Sequence, residues 1–414
     1  MIVPLAGRVV AAVIGGLLVL TAAGSVVGTI IVPRPAGGWL TKLVDRLTNS
    51  AFRLMTARIA SYKRMDRVLA RLAPAILLAQ LAAWLMTFFL GYALLLWPFV
   101  RGGITTAFTT AGPALWEIGS SDVSGAAQRT ILDFASLTGI ITVTLQIAYL
   151  PTLYSAFNRR ETEVALLNAR AGVPSWGPEL LARTHYALGS GASTIDTLPD
   201  LYAQWERFAA DIAESHTTYL PLVRFRSPRP LSSWVIALLS VLDSAALYLA
   251  LSPGRAPAVP ARLCLRSGFT CFTEVAREIS LRVPESADPD TGIALSYDDF
   301  LVAVERLREV DFPIERDPAE AWPDFVGWRV NYEQAAYAVA AAVDAVPAMW
   351  SGPRRRAFPV IPPIRPAPGR PPKELHKLAP GRGSRRRTAG RRTAAATPGS
   401  DASEHAAGAD NEKR

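Results

Sequence analysis

The sequence predicts an all-α membrane protein in which three transmembrane helices, with a re-entrant pore-like loop between the second and third, precede an all-α cytosolic domain and a disordered basic tail. Three observations predict this fold class. Half of the residues are apolar and only 19 % are charged, below the ~25 % of an ordinary soluble domain. Three stretches of 24, 29 and 25 residues carry no ionisable side chain. The net charge of +9 divides into +7 over residues 1–157, −8 over 158–351 and +10 over 352–414.

The uncharged stretches cover residues 9–32, 72–100 and 134–158. About 20 apolar residues in a helix cross the roughly 30 Å of bilayer hydrocarbon, so we predict a transmembrane domain over residues 1–158. A cleaved signal peptide is the alternative for the first stretch. Its apolar run exceeds the usual 7–15 residues of such peptides, which favours a retained anchor.

The loops between these spans set the predicted orientation. Nine Lys and Arg residues and two Asp residues lie between the first two spans, whereas only Arg101 and Arg129 are cationic between the second and third. The positive-inside rule therefore places residues 33–71 in the cytoplasm and 101–133 outside. We expect a multi-pass protein of the cell inner (plasma) membrane, with its N-terminus outside and its C-terminal domain cytoplasmic.

The segment between the first two spans has its own pattern. Over Trp39–Leu72, apolar residues recur at helical spacing with cations between them. A basic amphipathic helix of this kind either lies on the anionic cytoplasmic leaflet, which we favour, or simply connects the two spans.

The predicted external loop is unusually apolar. Residues 102–116 carry no charge, yet they are too few to cross a bilayer. Irregular backbone lies at membrane depth only where protein or a water-filled cavity surrounds it. We therefore predict a re-entrant segment over about residues 102–122.

The end of this loop contains the candidate pore residues. In potassium channels a Thr-Val-Gly-Tyr-Gly segment lines the pore with backbone carbonyls. Aligned with that segment and a following Asp, three of six positions fit, with Gly119 and Asp122 identical and Ile118 in place of Val. The candidate filter positions are Glu117, Ile118, Gly119, Ser120, Ser121 and Asp122.

The topology and several short segments resemble the bacterial two-helix, pore-loop ion channels, and more closely a subgroup of bacterial membrane proteins with a degenerate filter. The channel resemblance covers about residues 72–158. The segments that carry the wider resemblance are Asp66-Arg67-Val68-Leu69, the loop from Ala111 to Ser120, Tyr149–Tyr154, Phe157–Glu161 and Arg170–Pro174. The resemblance implies a homo-oligomer, tetrameric if the protein is a channel, because each chain supplies one loop.

The chain departs from the channel pattern at three places. Glu117 replaces the Thr, Ser121 replaces the second Gly, and Gly112-Pro113 is expected to interrupt the helix before the filter. A ring of Glu117 carboxylates would still select cations. The alternative is that Glu117 and Asp122 are ordinary loop carboxylates in a plug that does not conduct.

Pro151 lies near the end of the third predicted span. A proline inside a helix removes one hydrogen bond and clashes one turn back. Pro151 is therefore a candidate gate hinge, and the alternative is a plain bend near the membrane interface.

Residues 159–351 show helical periodicity without sustained β alternation, which predicts an all-α cytosolic domain. The predicted helices cover residues 161–170, 178–188, 200–219, 296–310 and 318–346. The stretch Leu231–Leu251 carries only Asp243 as a charge and is long enough to cross a bilayer. We favour a central helix of the soluble domain, because a carboxylate at mid-membrane costs about 2.5–3.5 kcal/mol.

The sequence contains none of the phosphate-loop, metalloprotease, paired-cysteine zinc or nucleophile-elbow motifs, so we predict no enzyme, no cofactor and no metal. The densest cluster of acidic and histidine residues consists of Glu206, Asp211, Glu214 and His216 on one predicted helix, with Asp243 on the apolar helix. We interpret this cluster as a solvated helix face. Cys264 and Cys271 are expected to be small buried residues.

Residues 352–414 are rich in Pro and Arg and are predicted to be a disordered basic tail that contacts anionic lipid, with no specific nucleic acid expected. Taken together, the sequence favours a channel-like integral membrane protein, and we expect a cation channel with a non-standard filter that the cytosolic helical domain regulates. The alternative is a non-conducting, membrane-anchored interaction or sensory protein.

Overall fold

A computed structural model describes residues 5–32, 38–101, 103–116, 125–184, 194–284 and 292–364. Over these ranges the chain is helical, and the described residues form no β-strand, only an isolated bridge between Ala348 and Ile361. The all-α prediction is confirmed.

The helices fall into two sets. The first contains the long apolar helices and their connections: α1 (Leu5–Ile30), α2 (Trp39–Thr56), α3 (Tyr62–Leu69), α4 (Leu72–Leu96), α5 (Ile104–Trp116) and α6 (Ala126–Ala171). The second set, for which we keep the predicted name soluble domain, contains α7 (Gly177–Arg183), α8 (Leu198–Thr218), α9 (Pro221–Arg224), α10 (Trp234–Leu251), α11 (Ala258–Glu278), α12 (Tyr297–Arg308), α13 (Pro318–Arg329) and α14 (Glu333–Ala342).

α1 and α4 pack closely because small residues face each other. A Cβ on Gly15 would lie 2.5 Å from the Gly91 carbonyl oxygen, so the two backbones nearly touch. The buried indole Nε1 of Trp84 donates a 3.0 Å hydrogen bond to Ser25 Oγ across the same interface. Small residues and single interhelical hydrogen bonds of this kind are typical of helix packing in membranes.

Four helices are long and apolar enough to cross a membrane, and their surroundings differ. α1, α4 and α6 expose large apolar side chains, including Leu20 at 71 % and Leu78 at 69 %. Every residue of α10 is buried by other helices of the chain. The apolar helices are thus compatible with a multi-pass membrane protein, and the surroundings of α10 match the prediction of a central soluble-domain helix.

The segment that we predicted as one amphipathic helix forms α2 and α3, joined near Ala57–Ser61. One face of α2 contacts the soluble domain, where Arg224 donates two hydrogen bonds to Asp45, of 3.0 and 2.9 Å. In α3 the Asp66 carboxylate accepts a 2.6 Å hydrogen bond from Arg226.

The soluble domain is built around α10. Its single charge, Asp243, accepts hydrogen bonds from Arg329 in α13 and, at 2.7 Å, from the hydroxyl of Tyr332. Arg329 is fully buried and also donates to Glu333 at 2.9 Å. The pairing and hydrogen bonds offset part of the cost of burying this carboxylate.

Two predicted divisions of the chain into helices change. The predicted helix over 318–346 is two helices, α13 and α14, because the chain turns at Val330–Tyr332 and this turn brings Tyr332 and Glu333 beside Arg329. The predicted third span and the helix over 161–170 form one helix, α6, which ends at Gly172 with a φ of 81°.

The first part of the predicted tail packs against the helical domain. Arg354 donates 2.7 Å hydrogen bonds to the carbonyls of Ala345, Val346 and Ser351, and Arg356 donates to Thr56 at 2.8 Å. Backbone carbonyls of the segment that follows α14 therefore anchor Arg354. The rest of the predicted tail lies outside the described residues.

Candidate functional site

α5 lies between α4 and α6. The ring centroids of Phe108 in α5 and Phe89 in α4 are 5.3 Å apart, and the ring planes are inclined at 61° to each other. On the other side, Ser136 in α6 donates a 2.8 Å hydrogen bond to the Ala114 carbonyl oxygen. Gly139 lies directly against the Leu115 carbonyl, so a side chain at this position would collide with the backbone of α5.

These contacts show which part of α6 the C-terminal end of α5 reaches. Near the beginning of α6, the Gln128 amide donates to the carbonyl of Phe99, which follows the end of α4. Gly139 is thirteen residues beyond Ala126, the first residue of α6. At a rise of 1.5 Å per residue this is about 20 Å along the helix axis. The C-terminal end of α5 therefore contacts α6 about 20 Å along the helix axis from Ala126.

The expected interruption at Gly112-Pro113 is wrong, because α5 continues through Pro113 to Trp116. Proline removes only one backbone donor, and the last turn of α5 is held between α4 and α6. The hydroxyls of Thr109 and Thr110 donate to the Thr106 carbonyl, at 3.1 and 2.7 Å, one turn earlier. The Thr106 carbonyl thus accepts hydrogen bonds from two side chains of its own helix.

The six candidate filter positions follow directly on Trp116 in sequence. Glu117, Ile118, Gly119, Ser120, Ser121 and Asp122 lie outside the described residues, so their predicted role stays a prediction. Gate-hinge candidate Pro151 lies within α6 and is exposed, in an open groove that also contains Arg159 and Asp211. The helix continues for about five turns beyond Pro151.

α6 connects this region to the soluble domain without a break. Its 46 residues correspond to about 70 Å, more than twice the hydrocarbon thickness of a bilayer. The side chain that fixes its far part is Arg160, which is fully buried. Arg160 donates 2.8 Å hydrogen bonds to the carbonyls of Leu222 and Phe225 and forms a 2.9 Å ion pair with Glu161.

His216 of α8 completes this buried contact. Arg160 Nη1 lies 2.9 Å from His216 Nε2, and His216 Nδ1 lies 3.0 Å from Ser215 Oγ. Because a guanidinium only donates, we assign Nε2 as the acceptor and place the ring proton on Nδ1. Burial, with a further contribution from the Arg160 charge, holds the pKa of His216 well below its usual value. The ring is therefore neutral at physiological pH.

The prediction of a solvated helix face is wrong for His216, which is fully buried, whereas Glu214 is exposed. His216 faces Arg160, Asp211 pairs with exposed Arg159 at 2.9 Å, and Asp243 binds Arg329. No group of three potential metal ligands occurs in the part of the chain that the structure describes. The expectation for Cys264 and Cys271 is confirmed, since both are buried and not joined in a disulfide.

Sequence reasoning missed the structural arginines. It assigned Arg159 and Arg160 the same role, as positive charge on the cytoplasmic side of the third span. In the structure Arg159 is exposed, whereas Arg160 is fully buried. One signal was present in the sequence: Arg160 lies on the same helix face as Val164, Leu167 and Ala171, at helical spacing.

Comparison of the chain with protein-family models, curated proteins and solved structures gave no match. The functional argument therefore depends on the chain's own sequence and geometry.

Proposed function

We propose that the chain is a multi-pass protein of the bacterial plasma membrane, with α1, α4 and residues 134–158 of α6 as its three spans. The exposed apolar faces of these helices and the nine cations of residues 33–71 support this placement and the orientation with the soluble domain in the cytoplasm. The complete burial of α10 supports its assignment to the soluble domain.

We further propose that α5 is a re-entrant helix and that the protein is channel-like. The observation that carries this proposal is the contact of Leu115 with Gly139, which lies about 8 Å along α6 from Phe134, the first residue of the predicted span. A helix of 13 residues that ends at this depth covers only part of a 30 Å layer. Its C-terminal end, the negative end of the helix dipole, directly precedes the candidate filter.

The expected transported species is a cation. A helix C-terminus favours positive charge, and Glu117 follows Trp116 at that end. Carboxylates contributed by several subunits form rings that select cations in other channels. In this proposal a homo-oligomer, most simply a tetramer, surrounds one pore.

The soluble domain is the proposed regulator. α6 continues from the pore region through Pro151 to Arg160, so a displacement of α8 and α9 reaches the membrane part through one helix. Pro151, between the two regions, is the proposed hinge.

Ion flux into proteoliposomes that contain the full chain tests the proposal. We expect cation uptake from the wild type and at least a tenfold loss from Glu117→Ala, with retention in Glu117→Asp. Glu305→Ala, which removes an exposed carboxylate of the soluble domain, is the matched control and is expected to leave flux unchanged. Equal flux from Glu117→Ala and the control would contradict the role of Glu117.

The second candidate function is a non-conducting membrane anchor for the soluble domain. The replacement of the second filter glycine by Ser121 favours it, because the repeated carbonyl geometry of a potassium filter depends on glycine. A monomer in mild detergent and in nanodiscs, together with no flux of any cation tested, would select this function.

A further inference from the structure

A cleft of about 360 Å³ lies where the long apolar helices meet the soluble domain. Its walls come from the end of α1, the polar face of α2, the first turns of α4, and the loops that follow α8, α11 and α14. In the proposed orientation this is the cytoplasmic edge of the bilayer. The cleft is distinct from the second half of α4, where Phe89 contacts Phe108 of α5.

The cleft is strongly cationic. Lys42, Arg46, Arg53, Arg224 and Arg355 line it, against two carboxylates, Asp45 and Glu278. Arg224 is held by both oxygens of Asp45. For Lys42, Arg46 and Arg355, no described carboxylate lies within ion-pair distance.

Other positive charges lie close to Arg53. Burial, and after it the neighbouring charge of Arg355, lowers the pKa of the Arg53 guanidinium from its usual value. Like charges are held together here although each of them raises the energy of the others. An anion between them would relieve this repulsion.

A buried polar group of the cleft also has no partner. Gln80 of α4 lines the cleft and is only 3 % exposed, and its amide Nε2 makes no hydrogen bond to any described atom. A buried donor without an acceptor costs about 1–3 kcal/mol. Native proteins leave such groups chiefly where a ligand, ion or water satisfies them.

The surroundings of the cleft indicate a lipid as the source of the anion. Val32, which follows α1, lies at the rim of the cleft. The face of α2 that points away from the cleft exposes a stripe of apolar side chains. This stripe consists of exposed side chains at helical spacing, Trp39, Leu43, Leu47, Leu54 and Met55. An amphipathic helix of this kind lies in the interface with its cations at headgroup level.

We propose that this cleft binds the phosphate group of an anionic membrane lipid, with Arg46 and Arg53 of α2 and Arg355 of the soluble domain as its cationic ligands and Gln80 as a hydrogen-bond donor. The inference rests on the membrane placement proposed above and not on conduction. The bound headgroup would join the interfacial helix α2 to the soluble domain, beside the existing contact of Asp45 with Arg224.

Lipid-dependent thermal stabilisation of the full chain in neutral detergent measures this binding. The probes are phosphatidylglycerol, zwitterionic phosphatidylcholine, and soluble glycerol-1-phosphate. We expect stabilisation by phosphatidylglycerol only. An equal effect of phosphatidylcholine would overturn the headgroup assignment, and an equal effect of glycerol-1-phosphate would overturn the lipid source.

A matched pair of variants separates the cleft from general charge. Arg46→Gln/Arg53→Gln is expected to weaken phosphatidylglycerol binding by about tenfold or more, because each basic residue near an anionic lipid contributes about fivefold. Lys63→Gln/Arg64→Gln removes the same charge from exposed positions of α3 outside the cleft and is expected to change binding less than twofold. Equal losses would overturn the proposal.

Gln80→Leu gives a readout that a purely structural residue would not give. We expect the lipid-free protein to keep or gain thermal stability, since a buried donor without a partner disappears, while the increment from phosphatidylglycerol falls. A decrease of lipid-free stability with an unchanged lipid increment would contradict a ligand role. Alkaline carbonate extraction tests membrane insertion separately: extraction of the chain would refute the membrane placement, whereas a retained chain without lipid-dependent stabilisation would refute only this inference.

Discussion

α1 and α10 have similar composition and opposite surroundings. Both are long and apolar enough to span a bilayer, yet all of α10 and only 22 % of the apolar window of α1 is buried by protein. α10 carries Asp243, and another part of the soluble domain supplies Arg329 and Tyr332 to bind it. The uncharged stretch 9–32, most of α1, needs no such partners. What separates a core helix from a membrane helix here is the polar partner brought by the rest of the chain, not the apolar run itself.

The largest effect is expected at the polar partner of α10. Asp243→Leu leaves the buried Arg329 guanidinium without its carboxylate, and we expect the free energy of unfolding of the soluble domain to fall by about 3–5 kcal/mol. Denaturant titration of the full chain in detergent, followed by tryptophan fluorescence, measures this change. Asp324→Leu breaks the ion pair with Arg316 at the surface and is expected to cost less than about 1 kcal/mol. Equal effects would mean that α10 does not depend on Asp243.

An intermediate effect is expected where α1 meets α4. Gly15→Val places a side chain against the Gly91 carbonyl and is expected to destabilise the apolar helices by about 1–3 kcal/mol. Its neighbour provides the control, because a Cβ on Gly16 meets nothing within 4 Å. Thermal aggregation in detergent measures both variants. If Gly16→Val is as harmful as Gly15→Val, the two helices do not pack as described.

The smallest effect concerns pH and the contact between α6 and the soluble domain. The pKa of His216 is lowered in the folded protein, so the unfolded chain binds the extra proton first as pH falls. Stability is therefore complete above about pH 6.5 and declines below it, by at most about 1.4 kcal/mol per pH unit. Thermal unfolding between pH 7.5 and 5 measures this slope, and His216→Gln should flatten it. An unchanged slope in that variant would exclude His216 as its source.

The sequence predicted the elements of this fold better than their connections. Uncharged runs located α1, α4 and the middle of α6, and helical periodicity over 200–219 located α8, because these signals are local. The continuity of α6 through Pro151 and the break between α13 and α14 depend on partners distant in sequence, such as Arg160 with Leu222 and Arg329 with Asp243.

The sites show the same division. The apolar character of residues 102–116 was readable from the sequence, whereas the position of Leu115 against Gly139 was not, because no local pattern encodes it. The cationic cleft was also hidden. In the sequence, Lys42, Arg46 and Arg53 are cations of the segment between two predicted spans. Only the structure shows that Gln80 of α4 and Arg355 of the segment after α14 line the same cleft.

The most direct test of the central claim is the immersion depth of α5 in a bilayer. Spin labels at three exposed positions, Thr105, Thr109 and Trp116, are introduced one at a time as cysteines into the full chain, with Cys264 and Cys271 replaced by Ala. Power-saturation EPR in liposomes then compares their access to oxygen and to a water-soluble relaxation agent. The account predicts increasing depth from Thr105 to Trp116, with Trp116 matching a label at Ile140 on α6. Labels at all three positions that are as hydrated as one at Arg101 would contradict it.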